Sequence, residues 1–346
     1  MIRNGSQRPT ITEIAKQAGV SAGAVSYALN GRPGVSDETR ARILKIASDV
    51  GWVPSHAARA LRGGGSATLG LVITREPEVL GIEPFFMAFV GGIEQVIADQ
   101  GYALLLQVRP DPARAVQTYR EWWSARRVDG IFVTDLVTED PRLAVLAEIG
   151  LPAVVVGDPA SAKGLPAVGS DDAGAAAAAV SRLAKMGHRR IGHVAGPVDF
   201  VHTQIRSHAL RAVAAQLGVA IVSEVNTDYS LPAGAEACAA ALSLPEPPTA
   251  LICDNDLTAV GAMRAAAERG VSVPEQLSIL AWDDSPLCQF TDPPISAISR
   301  DVPAYGAAAA RALLAVVKGF ERDPLPWASV ATLIDRGSLA DGPYGA

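Results

Sequence analysis

Phe85, Phe86, Asp135, Asp158, His202, Arg206, Tyr229, Asn255, Trp282 and Asp283 fall at the ends of predicted strands or near the starts of predicted helices. Arg206 and Asp283 can hold vicinal hydroxyls bidentately, and a flat aromatic side chain can stack on the C–H face of a ring. That chemistry suits a sugar or a similar polyol. The carboxylates Asp135, Asp158 and Asp283 could instead serve an enzyme. No nucleophile–base pair, metal-ligand cluster or phosphate-binding loop accompanies them, so no catalysis, metal or cofactor is expected. His188 and His193 lack metal spacing and read as surface and strand residues. Asp256 reads as a helix cap, and a tryptophan such as Trp282 more often packs in a core.

These residues need elements to hold them. From Leu69 onward short apolar strands at 69–73, 103–108, 130–134, 153–157, 191–195, 249–253 and 278–282 alternate with amphipathic helices. The helices are expected at about 86–100, 112–125, 140–149, 172–187, 203–218, 232–243, 256–270 and 303–320. This alternation predicts an α/β body of two successive doubly wound lobes with parallel sheets. Ligands of such folds sit beyond the carboxyl ends of the strands. Neither a dinucleotide nor a triphosphate motif follows the first strand. The alanine runs at 175–179 and 307–310 suggest closely packed helix faces.

The segment before Gly63-Gly64-Gly65 is different. Residues 1–65 hold nine Lys/Arg against four Asp/Glu, and the remainder holds 21 against 32. A basic head on an acidic body suggests that the head alone meets phosphate, although the whole chain carries −6. Thr10-x-x-Glu13 forms a capping box, with Ile11, Ile14, Ala15 and Ala18 behind it at helical spacing. Gly19-Val20 turns the chain, and Ser21 caps a second helix. Val25, Ala28 and Leu29 fall on its inner side. Ala22, Gly23, Ser26, Tyr27 and Asn30 fall on the other, which is bare at its start. Ser36 caps a third helix, and a short fourth helix is expected after Pro54. Two helices joined by a glycine turn match the helix-turn-helix pattern.

The stretch "TITEIAKQAGVSAGAVSYALNGRPGVSDETRARILKIASDVGWVPSHAARALRGG" resembles the amino-terminal module of the lactose/galactose repressor family of bacterial transcription regulators. The likeness continues in "EPFF", "MGHRRIGHVAGP", "VPEQLSILAWDD" and "PPISAISRD". It implies a helix-turn-helix domain at 1–53, a hinge helix and linker at 54–66, and an effector-binding and dimerisation domain at 67–346. The lobes would comprise about 67–166 with 296–325, and 167–292 with 326–340. The helix from Ser21 would enter the major groove, where an alanine methyl can meet a thymine methyl. Ala22 and Gly23 stand where many relatives carry long side chains, which shifts readout towards Tyr27; Gly23 reads equally well as merely permissive. Thr10, Ser21, Ser26, Asn30 and Ser36 would hold phosphates, a role compatible with plain capping. In "PSHAARALRGG", Leu61 matches the leucine that wedges into a base step. Ala58 allows close approach, and His56 and Arg59 face phosphates or the groove.

In the body the resemblance makes Phe86, Arg206, Tyr229 and Asp283 effector contacts, followed by Asn255 and Asp158. His202 departs from the small hydroxyl residue common at its position. Phe200 stands where purine-binding relatives carry Arg, which argues against a purine. The expected protein is a DNA-binding regulator, a repressor, working as a homodimer on a pseudo-palindromic duplex and switched by a small molecule, a sugar. The alternative is a solute-binding protein of the periplasmic type, disfavoured by the basic head and by the lack of an apolar leader in "MIRNGSQRPT". With three Cys of unmotivated spacing and no membrane-length apolar run, a cytoplasmic location is expected.

Overall fold

The computed structural model describes residues 9–52, 65–75, 81–320 and 331–343. Its contacts divide the chain into two compact units, Met1–Ser66 and Ala67–Ala346. In the first unit, three helices follow capping signals set by chemistry three residues apart. Thr10, Ser21 and Ser36 accept hydrogen bonds from the backbone N–H of Glu13, Ala24 and Thr39. These bonds start α1 (Ile11–Ala18), α2 (Ala22–Leu29) and α3 (Asp37–Asp49). Gly19, at φ 67°, closes α1 in the left-handed region that the turn requires. Ile14, Val25, Ala28 and Ile43 form the small core where the three helices meet. The fourth helix expected after Pro54, with His56, Ala58, Arg59 and Leu61, lies outside the described residues.

In the second unit the chain builds two sheets. The first runs β2-β1-β3-β4-β5, from β1 (Thr68–Thr74), β2 (Ala103–Arg109), β3 (Gly130–Val133), β4 (Ala153–Val156) and β5 (Ala167–Val168). All its pairings are parallel. The second runs β11-β10-β9-β8-β6-β7, from β6 (Arg190–Ala195), β7 (Ala220–Asn226), β8 (Ala250–Cys253), β9 (Ser278–Asp283), β10 (Ser296–Ser299) and β11 (Thr332–Ile334). β11 pairs antiparallel with β10, a departure from the wholly parallel sheets expected. The sequence pattern also missed β5, β7, β10 and β11. β5 and β11 span only two and three residues, and β7 is a half-buried edge strand without a clean apolar run.

Helices cover both faces of each sheet. α4 (Pro84–Ile97), α5 (Pro112–Ser124) and α6 (Pro141–Ile149) belong to the first lobe. α7 (Asp172–Lys185), α8 (Val201–Gln216), α9 (Leu231–Leu242) and α10 (Asp256–Glu268) belong to the second. α11 (Val302–Val317) returns to the first, packing on α4. That contact is close because a Cβ on Gly92 would lie 1.9 Å from the Pro303 carbonyl oxygen, and one on Gly306 2.2 Å from that of Phe89. Ala307–Ala310 are all buried, and Ala308, Ala309 and Ala310 belong to the same core cluster as Phe89 and Ile93 of α4. The chain thus crosses between lobes after β5, again after β10, and a third time between α11 and β11.

His188 is not a surface residue. It is 2% exposed, its Nδ1 pairing with Thr249 Oγ1 at 2.8 Å and its Nε2 with the Ala340 carbonyl at 3.0 Å. The segment after β11, through Ala340, covers a ring that periodicity alone places outside.

Candidate functional site

In α2 the outward residues Ser21, Ala22, Gly23, Tyr27 and Asn30 are exposed, with Ser26 half-buried, while Val25 and Ala28 pack inward. Thr10 and Ser36 are exposed at the starts of α1 and α3. A Cβ at Gly23 would meet only Ser21 Oγ, at 3.7 Å, so the exposed surface at the start of α2 is open backbone. Asn30 Nδ2 donates to the Ser26 carbonyl at 2.5 Å and finishes the helix. Tyr27 is 46% exposed, a large ring that the core of the unit does not use.

In the body, a cavity of about 60 Å³ lies beyond the carboxyl ends of the strands, between the lobes. It is lined by Phe85, Asp135, His202, Arg206, Tyr229, Asn255 and Asp283 from the sequence-expected set. Arg75, Glu83, Asp172 and Arg300 also line it and were missed. Three of its residues hold left-handed backbone without being glycine: Asp135 at φ 50°, Tyr229 at 71° and Asp283 at 85°. Such strain costs roughly 1–3 kcal/mol each and aims side chains where a relaxed strand end would not.

The second-lobe wall is built on Arg206. Its Nε and Nη2 donate to Asp172 Oδ1 at 2.9 and 2.7 Å, and its Nη1 donates to the Asp254 carbonyl at 3.1 Å. The guanidinium lies 4.0 Å from the Trp282 ring centre. Trp282 is 1% exposed and supports Arg206 from behind, so it does not line the cavity as expected. Behind this again, Asp254 pairs with buried His193 at 3.0 Å. The two carboxylates beside it, Asp254 first, outweigh burial and raise the His193 ring to about 9.

His202 Nε2 pairs with Tyr229 Oη at 2.8 Å, and the two rings stack with centroids 6.2 Å apart. Burial, then Arg206, pushes the imidazole down to about 4, so it is neutral. A Cβ at Gly196 would lie 2.1 Å from Tyr229 Oη, so the glycine makes room for the phenol. Asn255 caps α10 through Thr258 N at 2.9 Å and donates to the Tyr229 carbonyl at 3.1 Å. Asp256, the residue read as the cap, instead accepts from Ser285 N and Cys288 Sγ.

The floor comes from the crossovers after β5 and after β10. Asp283 accepts from Arg300 Nε at 2.5 Å, and Arg300 Nη1 donates to Ser170 Oγ at 3.3 Å. The first-lobe wall carries Arg75 just after β1, with Nη2 at 3.3 Å from Asp135 Oδ1 and Nε 3.7 Å from Glu83 Oε2. Glu83 stands at the N-cap of α4 yet makes no capping bond.

Two further expected contacts, besides Trp282, fall elsewhere. Phe86 is 1% exposed in the first-lobe core, edge-on to Phe85, which does line the cavity. Asp158 caps a short 3-10 turn through Ser161 N and Oγ, at 3.1 and 2.7 Å. Helix periodicity puts Phe86 on the buried side, and a local capping bond takes Asp158. Among the missed residues, Arg75 had a signal, since it follows a strand as Asp135 does. Asp172 and Arg300 had none, because only the crossings bring them under the cleft.

Across the mouth the lobes touch through backbone. Thr138 N donates to the Asp199 carbonyl at 3.0 Å, Val201 N to that of Leu136 at 2.9 Å, and Val137 bridges Phe200.

Residues 10–55 match the bacterial regulatory proteins of the lacI family, and residues 180–339 match the periplasmic binding protein-like domain. The transcriptional regulator MalR of Streptomyces coelicolor is 35% identical, over 96% of this chain and 97% of that protein. The transcriptional repressor CytR of Escherichia coli is 32% identical, over 90% of each. A transcriptional regulator CelR–cellobiose complex is similar over 96% of this chain and 100% of that chain, at 27% identity and a TM-score of 0.72. The Lac repressor dimer bound to operator and the anti-inducer ONPF shares the fold, with a TM-score of 0.84 at 23% identity, covering 96% and 100%. Capped helices ahead of a two-lobed body, and relatives aligned along nearly their whole lengths, lead to one conclusion: this chain belongs to the lacI family of bacterial regulatory proteins.

Proposed function

We propose that this transcriptional regulator reads an operator with the outward face of α2 and that a small polyhydroxylated molecule in the cleft sets its affinity for DNA. Two copies would read two half-sites about one helical turn apart. The observation that carries the effector reading is the cavity floor. Ser170 lies on the crossover after β5, with Asp172 opening the helix that follows it, and Arg300 lies on the crossover after β10, so groups that face a ligand also sit where the chain passes between lobes. A ligand bound there differs in affinity between lobe arrangements, which is the requirement for shifting their populations. The lining supports a sugar, since ion-paired Arg and Asp side chains can exchange partners with hydroxyls and Phe85 offers a flat face. Cellobiose occupying the related CelR supports the same class.

The test joins two measurements. Sugars are screened by thermal shift on the full chain and on Asp283→Asn, and any that stabilise only the parent are added to a gel-shift titration with promoter DNA. A stabilising sugar that changes DNA affinity supports the reading. A stabilising sugar without effect on DNA overturns the coupling, and equal stabilisation of both proteins places the ligand elsewhere.

A further inference from the structure

The first-lobe wall of the cleft holds more carboxylates than cations. Arg206 is committed to Asp172 and Arg300 to Asp283, and His202 is neutral. Arg75 is left facing both Glu83 and Asp135, each less than a tenth exposed. Its guanidinium is enclosed by the rings of Phe86, Phe200 and Tyr229, 5.8, 4.7 and 4.9 Å from their centres. Glu83 Oε2, Asp135 Oδ2, Thr134 Oγ1 and Arg75 Nε are buried without hydrogen-bond partners. Buried polar atoms in a folded protein are nearly always satisfied, so a cluster of three oxygens and one N–H beside a cavity points to a ligand that completes them.

Resting on the effector reading of the cleft, we propose that Arg75, Glu83, Thr134 and Asp135 form a subsite for an uncharged, hydrogen-bond-donating group such as two neighbouring sugar hydroxyls. The same carboxylates bar anionic ligands, including sugar phosphates and sugar acids. The open atoms are mostly acceptors, so the ligand must donate. A phosphate or carboxylate would enter a low-dielectric space beside two carboxylates that already share one cation. Burial, opposed by Arg75 and reinforced by Asp135, already raises the Glu83 carboxyl to about 7, so the wall is near its limit of negative charge.

The test uses the full-length chain and paired probes: cellobiose, maltose, glucose and galactose, the 6-phosphates of the two hexoses, glucuronate, galacturonate, and the bionic acids of the disaccharides. Thermal shift and calorimetry read affinity in the parent protein, Glu83→Gln and Asp135→Asn, with Asp283→Asn locating binding in the cleft. The expected result is stabilisation by a neutral sugar, with its charged partner at least tenfold weaker, and a ratio that shrinks about tenfold in Glu83→Gln or Asp135→Asn. Circular dichroism melts confirm that these near-isosteric variants fold. An anionic probe that binds the parent as tightly as its neutral partner, and is lost in Asp283→Asn, overturns the charge exclusion while leaving the cleft as the effector site. A ratio unchanged in both variants overturns the role of the two carboxylates. Stabilisation by no probe of either charge overturns this inference together with the effector reading.

Discussion

Asp172 Oδ1 receives both Nε and Nη2 of Arg206, at 2.9 and 2.7 Å, and so ties the first residue of α7 to a side chain of α8 that lines the cleft. Both side chains are largely removed from water. Removing one partner of such a pair leaves an uncompensated buried charge, which costs more than the pair contributes.

Arg206→Ala is therefore expected to destabilise the body by roughly 3–5 kcal/mol in urea titrations. Arg206→Lys keeps the charge but not the planar fork, and should lose roughly 1.5–3 kcal/mol. A lysine variant as unstable as the alanine variant would show that the fork is irrelevant.

The backbone contact across the cleft mouth offers a cleaner probe of closure. Val201 is the first residue of α8, where proline is tolerated, and Phe200 has the extended backbone that a following proline requires. Val201→Pro thus deletes the N–H that donates to Leu136 without breaking the helix. A net hydrogen bond of roughly 1 kcal/mol predicts about fivefold weaker effector binding with little change in unfolding midpoint. Calorimetry that returns the parental affinity would show that this bond does not favour the closed arrangement.

Stability should depend on pH through Glu83. Its carboxyl is raised from 4.5 to about 7, burial being the largest cause. A raised carboxyl holds its proton longer when folded, so its contribution to stability falls as pH rises from about 4.5 to 7. The size is up to about 3 kcal/mol at roughly 1.4 kcal/mol per unit. Compared with the parent, Glu83→Gln should gain stability steadily across that window, as measured by urea midpoints. A constant difference would mean that Glu83 is ionised throughout.

His193 carries a dependence of the same sign at higher pH. Its ring is raised from 6.5 to about 9 chiefly by Asp254, so the pair stabilises fully below pH 6.5 and its contribution is lost as pH rises through 9. Thermal melts between pH 6.5 and 9.5 should show that loss in the parent and not in His193→Gln.

At the face of α2 proposed to read DNA, Gly23→Ala separates permissiveness from close approach. A Cβ there meets only Ser21 Oγ at 3.7 Å, and alanine should stabilise α2 by roughly 0.5–1 kcal/mol. If the open backbone lies against DNA, gel shifts will show weaker operator binding by a more stable protein. Unchanged binding would leave Gly23 as a merely tolerated residue.

Much of the scaffold was legible because its determinants are local. Thr10, Ser21 and Ser36 bond to N–H groups three residues on, a distance that helix geometry sets without help from the rest of the chain. Strand-ending Asp135 and Asp283 were legible for a related reason, since parallel sheets present their carboxyl ends to the ligand. Trp282 and Phe86 were misplaced because a residue at the right end of an element can still point into the core. Arg75 and Glu83 were passed over although both stand at element boundaries.

The order of residues along the chain determined helix starts, the alternation of strands and helices, and the basic head. It did so because those features depend on neighbours within a turn or a strand. Only the tertiary structure decided the pairings inside the cleft: Arg206 with Asp172 across 34 positions, Arg75 with Asp135 across 60, and Arg300 with Ser170 across 130. Sheet order and the crossings between lobes choose such partners, and nothing in local spacing encodes which distant charge a buried guanidinium will meet.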